Sequence, residues 1–395
     1  MSCSDSSSEA RTRSARTCIV SLRGVNRLAG WCSNYEFEDV ASNIDDVDLF
    51  TLRPGKAYSP REWLVKRLIW RRGLRQLARR LNPGLQPISL EKDYDLFAFF
   101  CMNPSDLLYL SAVKGWKERC KTRVCFMAEL YAGWIGQYAF HLNLLSEFDH
   151  IFLCFSGSVR AVQQHVGRPC HHVHFGADLL RFSPFPNPPA RCVDVYSMGR
   201  RSETVHEALL KMAGRKELFY IYDTIPSPLI QPEDYRQHRD LLANFGKRSR
   251  FFVTYPAKVD CADETRGQSE VGARFYEGAA TGAILIGQAP TIPAFAKEFD
   301  WPDAVVNIGS TEEQLVAVLE RFKADPEREQ ALSRRNAVEA LRRFDWSCRW
   351  KEILRFAGLE PTSRLFEREK RLNQLVAMAE CAALENTPVD VDLVH

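Results

Sequence analysis

Four prolines fall within the six residues Pro184 to Pro189, and they separate two series of segments of the same kind. Proline fixes φ and removes an amide donor, so this stretch continues neither a helix nor a central strand. It reads as a linker over 184–190. On each side of it, short apolar runs alternate with segments of helical period, the signature of parallel α/β layers. Before the prolines the strand-like runs lie at 17–22, 47–52, 94–101, 122–127, 150–155 and 170–175. Helical patterns lie between them at 35–44, 60–81, 104–118 and 135–147. After the prolines the strand-like runs are 192–197, 218–222, 250–255, 283–287 and 304–308. Ser310-Thr311-Glu312-Glu313 is a capping box, and Asp325 before Pro326 is an N-cap with proline at the first helical position. The expected fold class is α/β with two Rossmann-like domains, 17–183 and 191–360, facing across an interdomain cleft. A disordered N-terminus (1–16) and a C-terminal helix and tail (361–395) complete the plan.

Size agrees with two units, because 395 residues exceed one ordinary core. A hydrophobic content of 45% excludes a disordered chain. The 12 cysteines form no CxxC pair. Cys18, Cys125, Cys154 and Cys192 stand inside apolar runs, where a free thiol packs as a small hydrophobe. A reducing compartment is expected, with neither a disulfide framework nor a zinc site. The first 16 residues lack the apolar region of a secretory signal. No apolar run approaches the roughly 20 residues that cross a bilayer. The expected location is cytoplasmic, soluble or peripheral to the inner face of a membrane.

The segment 269–287 carries the most chemistry. A loop with Glu270 ends at Gly272, and a short helix follows with Arg274 and Glu277 in its opening turns. A run of small residues leads through Gly282 into an apolar strand. A helix N-terminus attracts phosphate through unpaired N–H groups and its dipole. A carboxylate two turns in can accept both hydroxyls of a ribose, as in dinucleotide folds. The segment therefore reads as a seat for a nucleotide diphosphate.

This segment resembles the donor-binding region of GT-B glycosyltransferases, in particular retaining glycosyltransferase family 4, the glycosyl transferases group 1. Anchored on Gly272, Glu277 stands at the second glutamate of that family's motif and Gly282 at its later glycine. Ser269 stands where the first glutamate belongs, and Glu270 follows one residue later. The Phe175-Gly176-Ala177-Asp178 passage with Phe182 and Pro184, and Phe344-Asp345-Trp346 with Arg349, also resemble family signatures. The resemblance covers residues 120–357, and the N-terminal third by architecture alone. It implies transfer of a sugar from a nucleotide-diphosphate sugar to an acceptor (glycan, lipid-linked or small-molecule), with retention and with neither a metal ion nor a cofactor. It also implies that Gly199, Arg200 and Arg201, after the first strand of the second series, lie against the diphosphate. Lys258 is a further phosphate candidate, since the family's lysine is replaced by His206. Glu270, Glu129 and Arg201 are the catalytic candidates. Donor binding falls to Gly199, Arg200, Arg201, Lys258, Ser269, Glu270, Gly272, Arg274 and Glu277.

Other features carry competing readings. Glu129 ends a strand of the first series, where open parallel sheets bind ligands, and it could contact a sugar hydroxyl or act as a base. The loop Arg23-Gly24-Val25-Asn26-Arg27 could reach the same cleft. His171, His172 and His174 read as a strand edge lining the cleft, with a metal site as the lesser alternative. Asp46-Val47-Asp48 has the DxD form by chance. The segment 63–81 places Trp70, Leu74, Leu77, Ala78 and Leu81 opposite Arg71, Arg72, Arg75, Arg79 and Arg80. Such a helix either docks on an anionic membrane or packs on the core with a solvated basic face. A nucleic-acid partner is not expected, because no aromatic platform or known module accompanies the charge. The stripe Leu365, Leu372, Leu375, Val376 and Ala379 either crosses back onto the first domain or forms a homodimer contact. Rival functions are a GT-B sugar-nucleotide epimerase or phosphorylase, and a catalytically silent GT-B scaffold in a glycan assembly complex.

Overall fold

A computed structural model describes residues 15–69, 71–225 and 230–384. The expectation of disorder at the N-terminus concerns residues that lie almost wholly outside this range, as does Trp70. The first half contributes eight strands: β1 (Thr17–Ser21), β2 (Val47–Thr51), β3 (Ile88–Ser89), β4 (Tyr94–Cys101), β5 (Val113–Lys114), β6 (Cys120–Met127), β7 (His150–Leu153) and β8 (Cys170–His172). Six of them form one parallel sheet in the order β2-β1-β4-β6-β7-β8, and β3 pairs with β5 apart from it. The register sets Ile19 beside Leu49 and Ala98, and Phe100 beside Phe126. β4 is apolar almost throughout because both of its faces are covered, as parallel sheets require.

The second half contributes β9 (Val193–Ser197), β10 (Tyr220–Tyr222), β11 (Ser249–Thr254), β12 (Ile284–Gly287) and β13 (Val306–Asn307). They form a second parallel sheet in the order β10-β9-β11-β12-β13. In each sheet the strand order reverses beside the first strand, between β1 and β4 and between β9 and β11. Open α/β sheets bind ligands outside the carboxyl ends of the strands at such points.

Two helical expectations give way. The segment 60–81 divides into Tyr58–Ile69, a tight turn at Arg72–Leu74 and Arg75–Arg80, with Gly73 at the break. The segment 104–118 forms a tight helix only over Pro104–Ala112, capped by Asn103 and Asp106, before the chain extends into β5.

The helix Cys32–Ile44 is the keystone of the molecule. It is buried on nearly every side, although its sequence includes Ser33, Asn34, Glu36 and Glu38. It lies against the second-half helix Tyr235–Arg248 and against the C-terminal helices Trp346–Ala357 and Ser363–Leu384. Phe37 stacks on Trp346 at 4.5 Å and 9°. Trp350 donates its indole N–H to Asp45 at 3.0 Å. The C-terminal helix buries Leu365, Leu372, Val376 and Ala379 within its own chain, so this stripe is not left for a second copy. The two motif passages named from sequence meet here. The Ala177 amide donates to the Phe344 carbonyl at 3.0 Å, and Arg368 binds both Asp178 and Asp345.

Candidate functional site

The carboxyl ends of the two sheets face one cavity of about 150 Å³. The first half contributes Ala29, Gly30, Ser33, Met102, Glu129, Phe155 and Phe175, and the second half Gly199, Arg200, Arg239, Tyr255, Lys258, Gly272, Arg274 and Glu277 among others. Both switch points supply it. Ala29 to Ser33 follow β1 and Met102 follows β4, while Gly199 and Arg200 follow β9 and Tyr255 to Lys258 follow β11.

Gly199 has φ 83°, a left-handed turn that glycine adopts without steric cost. Its amide donates to Asp223 at 3.1 Å. Gly272 is the N-cap of the helix Ala273–Ala280 and offers no side chain to the first amides; the Phe275 amide turns back to the Gly272 carbonyl at 3.3 Å, and Gly272, Ala273 and Arg274 line the cavity. The small residues behind Glu277 bring this helix close to the sheet. A Cβ on Gly278 would sit 2.5 Å from Leu285, inside contact distance.

Glu277 is completely buried. One carboxylate oxygen accepts from Arg239 and the other from Arg274. Burial alone would raise this acid, but the Arg239 and Arg274 guanidiniums overcome it and hold it at about 2. Because that value lies below the ordinary 4.5, the resulting stability is present above pH about 4.5 and is lost as pH falls toward 2. A shift of this size corresponds to about 3 kcal/mol. Urea denaturation across this acid range should show Glu277→Gln losing less stability than wild type. Equal slopes would remove the charge pairing.

Arg239 reaches across the two halves. It donates to Glu36 at 2.7 and 3.1 Å, and Glu36 also accepts from Arg181, from the Trp346 indole and from the Asp178 amide. Neither Glu36 nor Arg239 was singled out by the sequence, and both are buried. The one available signal, for Glu36 alone, was the string of polar residues Ser33, Asn34, Glu36 and Glu38 in one helical segment.

Lys258 has φ 54°, a backbone conformation that costs a lysine about 1 kcal/mol and is typical of functional loops. Its ammonium pairs with Glu264, lies 3.8 Å from Glu129 of the first half, and sits 4.6 Å over the Trp134 ring. Glu129 is raised by burial, with Lys258 and Arg200 opposing. Arg200 is held by Asp260 at 2.8 Å.

Three of the candidate residues stand elsewhere. Arg201 turns to Asp223, donating to its carboxylate and its carbonyl at 2.7 Å. Ser269 and Glu270 border a separate surface hollow. Glu270 accepts from the Ser156 and Gly157 amides at 3.0 and 2.8 Å and from Gln268. Its carboxylate thus satisfies the start of a first-half helix and clasps the two halves together. In extended chain, a displacement of one residue turns a side chain to the opposite face. The histidines do not line the cavity: His171 bonds His150 at 3.1 Å, and His174 lies between Arg349 and Glu298. Arg23 leaves the cleft for Glu38, Asp39 and Tyr235. Asp46 and Asp48 pair with Arg364 and Lys92.

Two facing parallel sheets with a cavity at both switch points define the GT-B architecture. Residues 212–355 match the family model described as glycosyl transferase-like. No curated protein matches the sequence. Trehalose-6-phosphate synthase OtsA has a similar structure, with a TM-score of 0.53 at 11% identity over 88% of this chain and 100% of that one. A trehalose-6-phosphate synthase studied with bisubstrate glycomimetics gives 0.51 at 11%, over 88% and 100%. The N-terminal domain of Candida albicans trehalose-6-phosphate phosphatase gives 0.51 at 7%, over 87% and 96%. The chain thus has the GT-B fold, and its second half contains a glycosyl transferase-like domain.

Proposed function

We propose that the protein is a glycosyltransferase that binds a nucleotide-diphosphate sugar in the interdomain cavity and transfers the sugar to an acceptor with retention and without a metal ion. The observation that carries this reading is the convergence of Gly199, the start of the helix Ala273–Ala280 and the ionised Glu277 on one cavity. The ribose hydroxyls would donate to Glu277. The diphosphate would lie on the helix amides with Arg200, Lys258 and Arg274 around it. As the bond from sugar to phosphate breaks, negative charge builds on the leaving oxygen, where fixed cations and amides stabilise it most. Glu129, facing Lys258 from the first half, would contact a sugar hydroxyl. Retention is supported by the likeness to a synthase whose structure concerns enzymatic glycosyltransfer with retention.

The cavity is smaller than the 300–1,000 Å³ usual for ligand sites (about the size a nucleotide sugar needs), so donor entry requires the halves to part. Thermal shift against UDP, GDP, TDP and ADP, followed by assay of the corresponding sugars with and without acceptor, tests the reading. Nucleoside diphosphate released in an acceptor-dependent manner is the expected result. Conversion of the sugar nucleotide without acceptor would instead identify an epimerase, and binding with no turnover would identify a scaffold.

The lipid-linked form of the acceptor has its own support. Trp63 is 60% exposed and Leu77 50%, beside the exposed cations Lys66 and Arg67. Of the expected core positions, Ala78 is buried. Trp70 and the side chains of Arg72, Arg75, Arg79 and Arg80 lie outside the described residues. No helix among the described residues is long and apolar enough to cross a membrane. A surface of aromatic and basic residues suits an anionic bilayer. Sedimentation with phosphatidylglycerol vesicles should exceed that with phosphatidylcholine and fall several-fold in Trp63→Ala. Equal sedimentation with both lipids would argue against docking.

A further inference from the structure

Each oxygen of the Glu277 carboxylate is already taken by a guanidinium, yet the two arginines are held very differently. Arg239 is 2% exposed, forked onto Glu36 as well as Glu277, and packed 4.7 Å over the Phe182 ring. Moving it would strip a buried acid on each side. Arg274 is bonded to Glu277 and is 24% exposed. It lies directly against the Gly199 turn: a Cβ on Gly199 would be 3.7 Å from its Nε and 3.8 Å from its Nη2. One side of Arg274 therefore faces the acid. The other faces the turn where a diphosphate would rest.

We propose that Arg274 changes partner when donor binds, leaving Glu277 for the diphosphate beside Gly199 while the ribose hydroxyls take its place on the carboxylate. This rests on the reading of the cavity as a nucleotide-sugar site and assigns Arg274 a role that the motif resemblance does not specify. The exchange leaves no charge uncompensated. Before binding, Arg274 neutralises a buried acid that would otherwise face an empty cavity. After binding, its cation follows the incoming phosphate anions, and the hydroxyls donate to the oxygen it left. Arg239 stays on the other oxygen throughout and keeps the acid ionised, so that the carboxylate remains a pure acceptor. No bond is made or broken except hydrogen bonds, and no proton moves.

The exchange has a consequence that a merely structural arginine lacks. A nucleoside must displace Arg274 without offering it a new partner, whereas a nucleoside diphosphate supplies one. Deleting the guanidinium therefore shifts the two affinities in opposite directions. The test is calorimetric titration of UDP, GDP, ADP and TDP, and of each parent nucleoside, into wild type, Arg274→Ala and Arg274→Gln. Thermal unfolding confirms that each variant is folded. The glutamine variant retains a neutral donor toward Glu277 should the alanine variant fail to fold. For the diphosphate that binds wild type, the expected loss is about 10–100-fold, the size of one charge-assisted hydrogen-bond pair. The parent nucleoside should bind the variants several-fold more tightly than wild type. Parallel weakening of nucleoside and diphosphate would show that Arg274 only holds Glu277 in place, and unchanged affinities would show that it does neither. If no diphosphate binds wild type, the nucleotide-site reading itself fails and the exchange with it. If a diphosphate binds wild type and is lost in Glu277→Gln, while Arg274→Ala shows no opposed shift, the exchange alone is wrong.

Discussion

Glu277→Gln is expected to weaken donor binding about 10–100-fold, the worth of hydrogen bonds to a charged acceptor, and to lower turnover at a fixed donor concentration accordingly. The amide keeps the volume of the acid but presents an N–H₂ group where a ribose hydroxyl or a guanidinium needs an acceptor. Because Glu277 is buried between Arg239 and Arg274, the same change strips both cations of part of their partner. A stability loss therefore accompanies the affinity loss. Titration below the variant's unfolding temperature separates the two effects. Wild-type affinity in a folded Glu277→Gln protein would remove this residue from the binding account.

The largest stability effect is expected at Arg239. Its guanidinium bonds Glu277 to the helix Tyr235–Arg248 and joins that acid to Glu36 in the first half. Arg239→Met leaves two buried acids short of a cation, and breaking a buried pair on one side alone costs about 3–5 kcal/mol. Glu36 keeps Arg181 and the Trp346 indole, and Glu277 keeps Arg274, so the protein should still fold. Adding Glu36→Gln to Arg239→Met should recover part of the loss, because the second change removes one stranded charge. Urea denaturation of the two single variants and the double variant measures this. A single variant within about 0.5 kcal/mol of wild type, the range of ordinary surface changes, would show that the junction does not depend on the ion pair.

What the sequence made legible is what local pattern encodes. The alternation of strand and helix, broken at Pro184–Pro189, foretold two parallel sheets, and the small-residue tail behind Glu277 foretold a helix pressed against a sheet. The passages around Asp178 and Asp345 were recognisable separately, though only folding shows that they share Arg368. Glu36 and Arg239 were not legible, since a buried ion pair 203 positions apart leaves no trace in either local segment. That Glu270 borders a separate hollow was not legible for a related reason. Its partners are amides at Ser156 and Gly157, and nothing near residue 270 announces them. Arg201 likewise answers to Asp223 on the neighbouring strand end rather than to the cavity.

A crystal structure with bound nucleoside diphosphate tests the central claim most directly. The ribose hydroxyls should lie about 2.5–3.2 Å from the Glu277 carboxylate, with the diphosphate between the Gly199 turn and the first amides of the helix Ala273–Ala280. A nucleotide bound outside the interdomain cavity, or bound within it with Glu277 still paired to Arg274 and no ribose contact, would contradict the account.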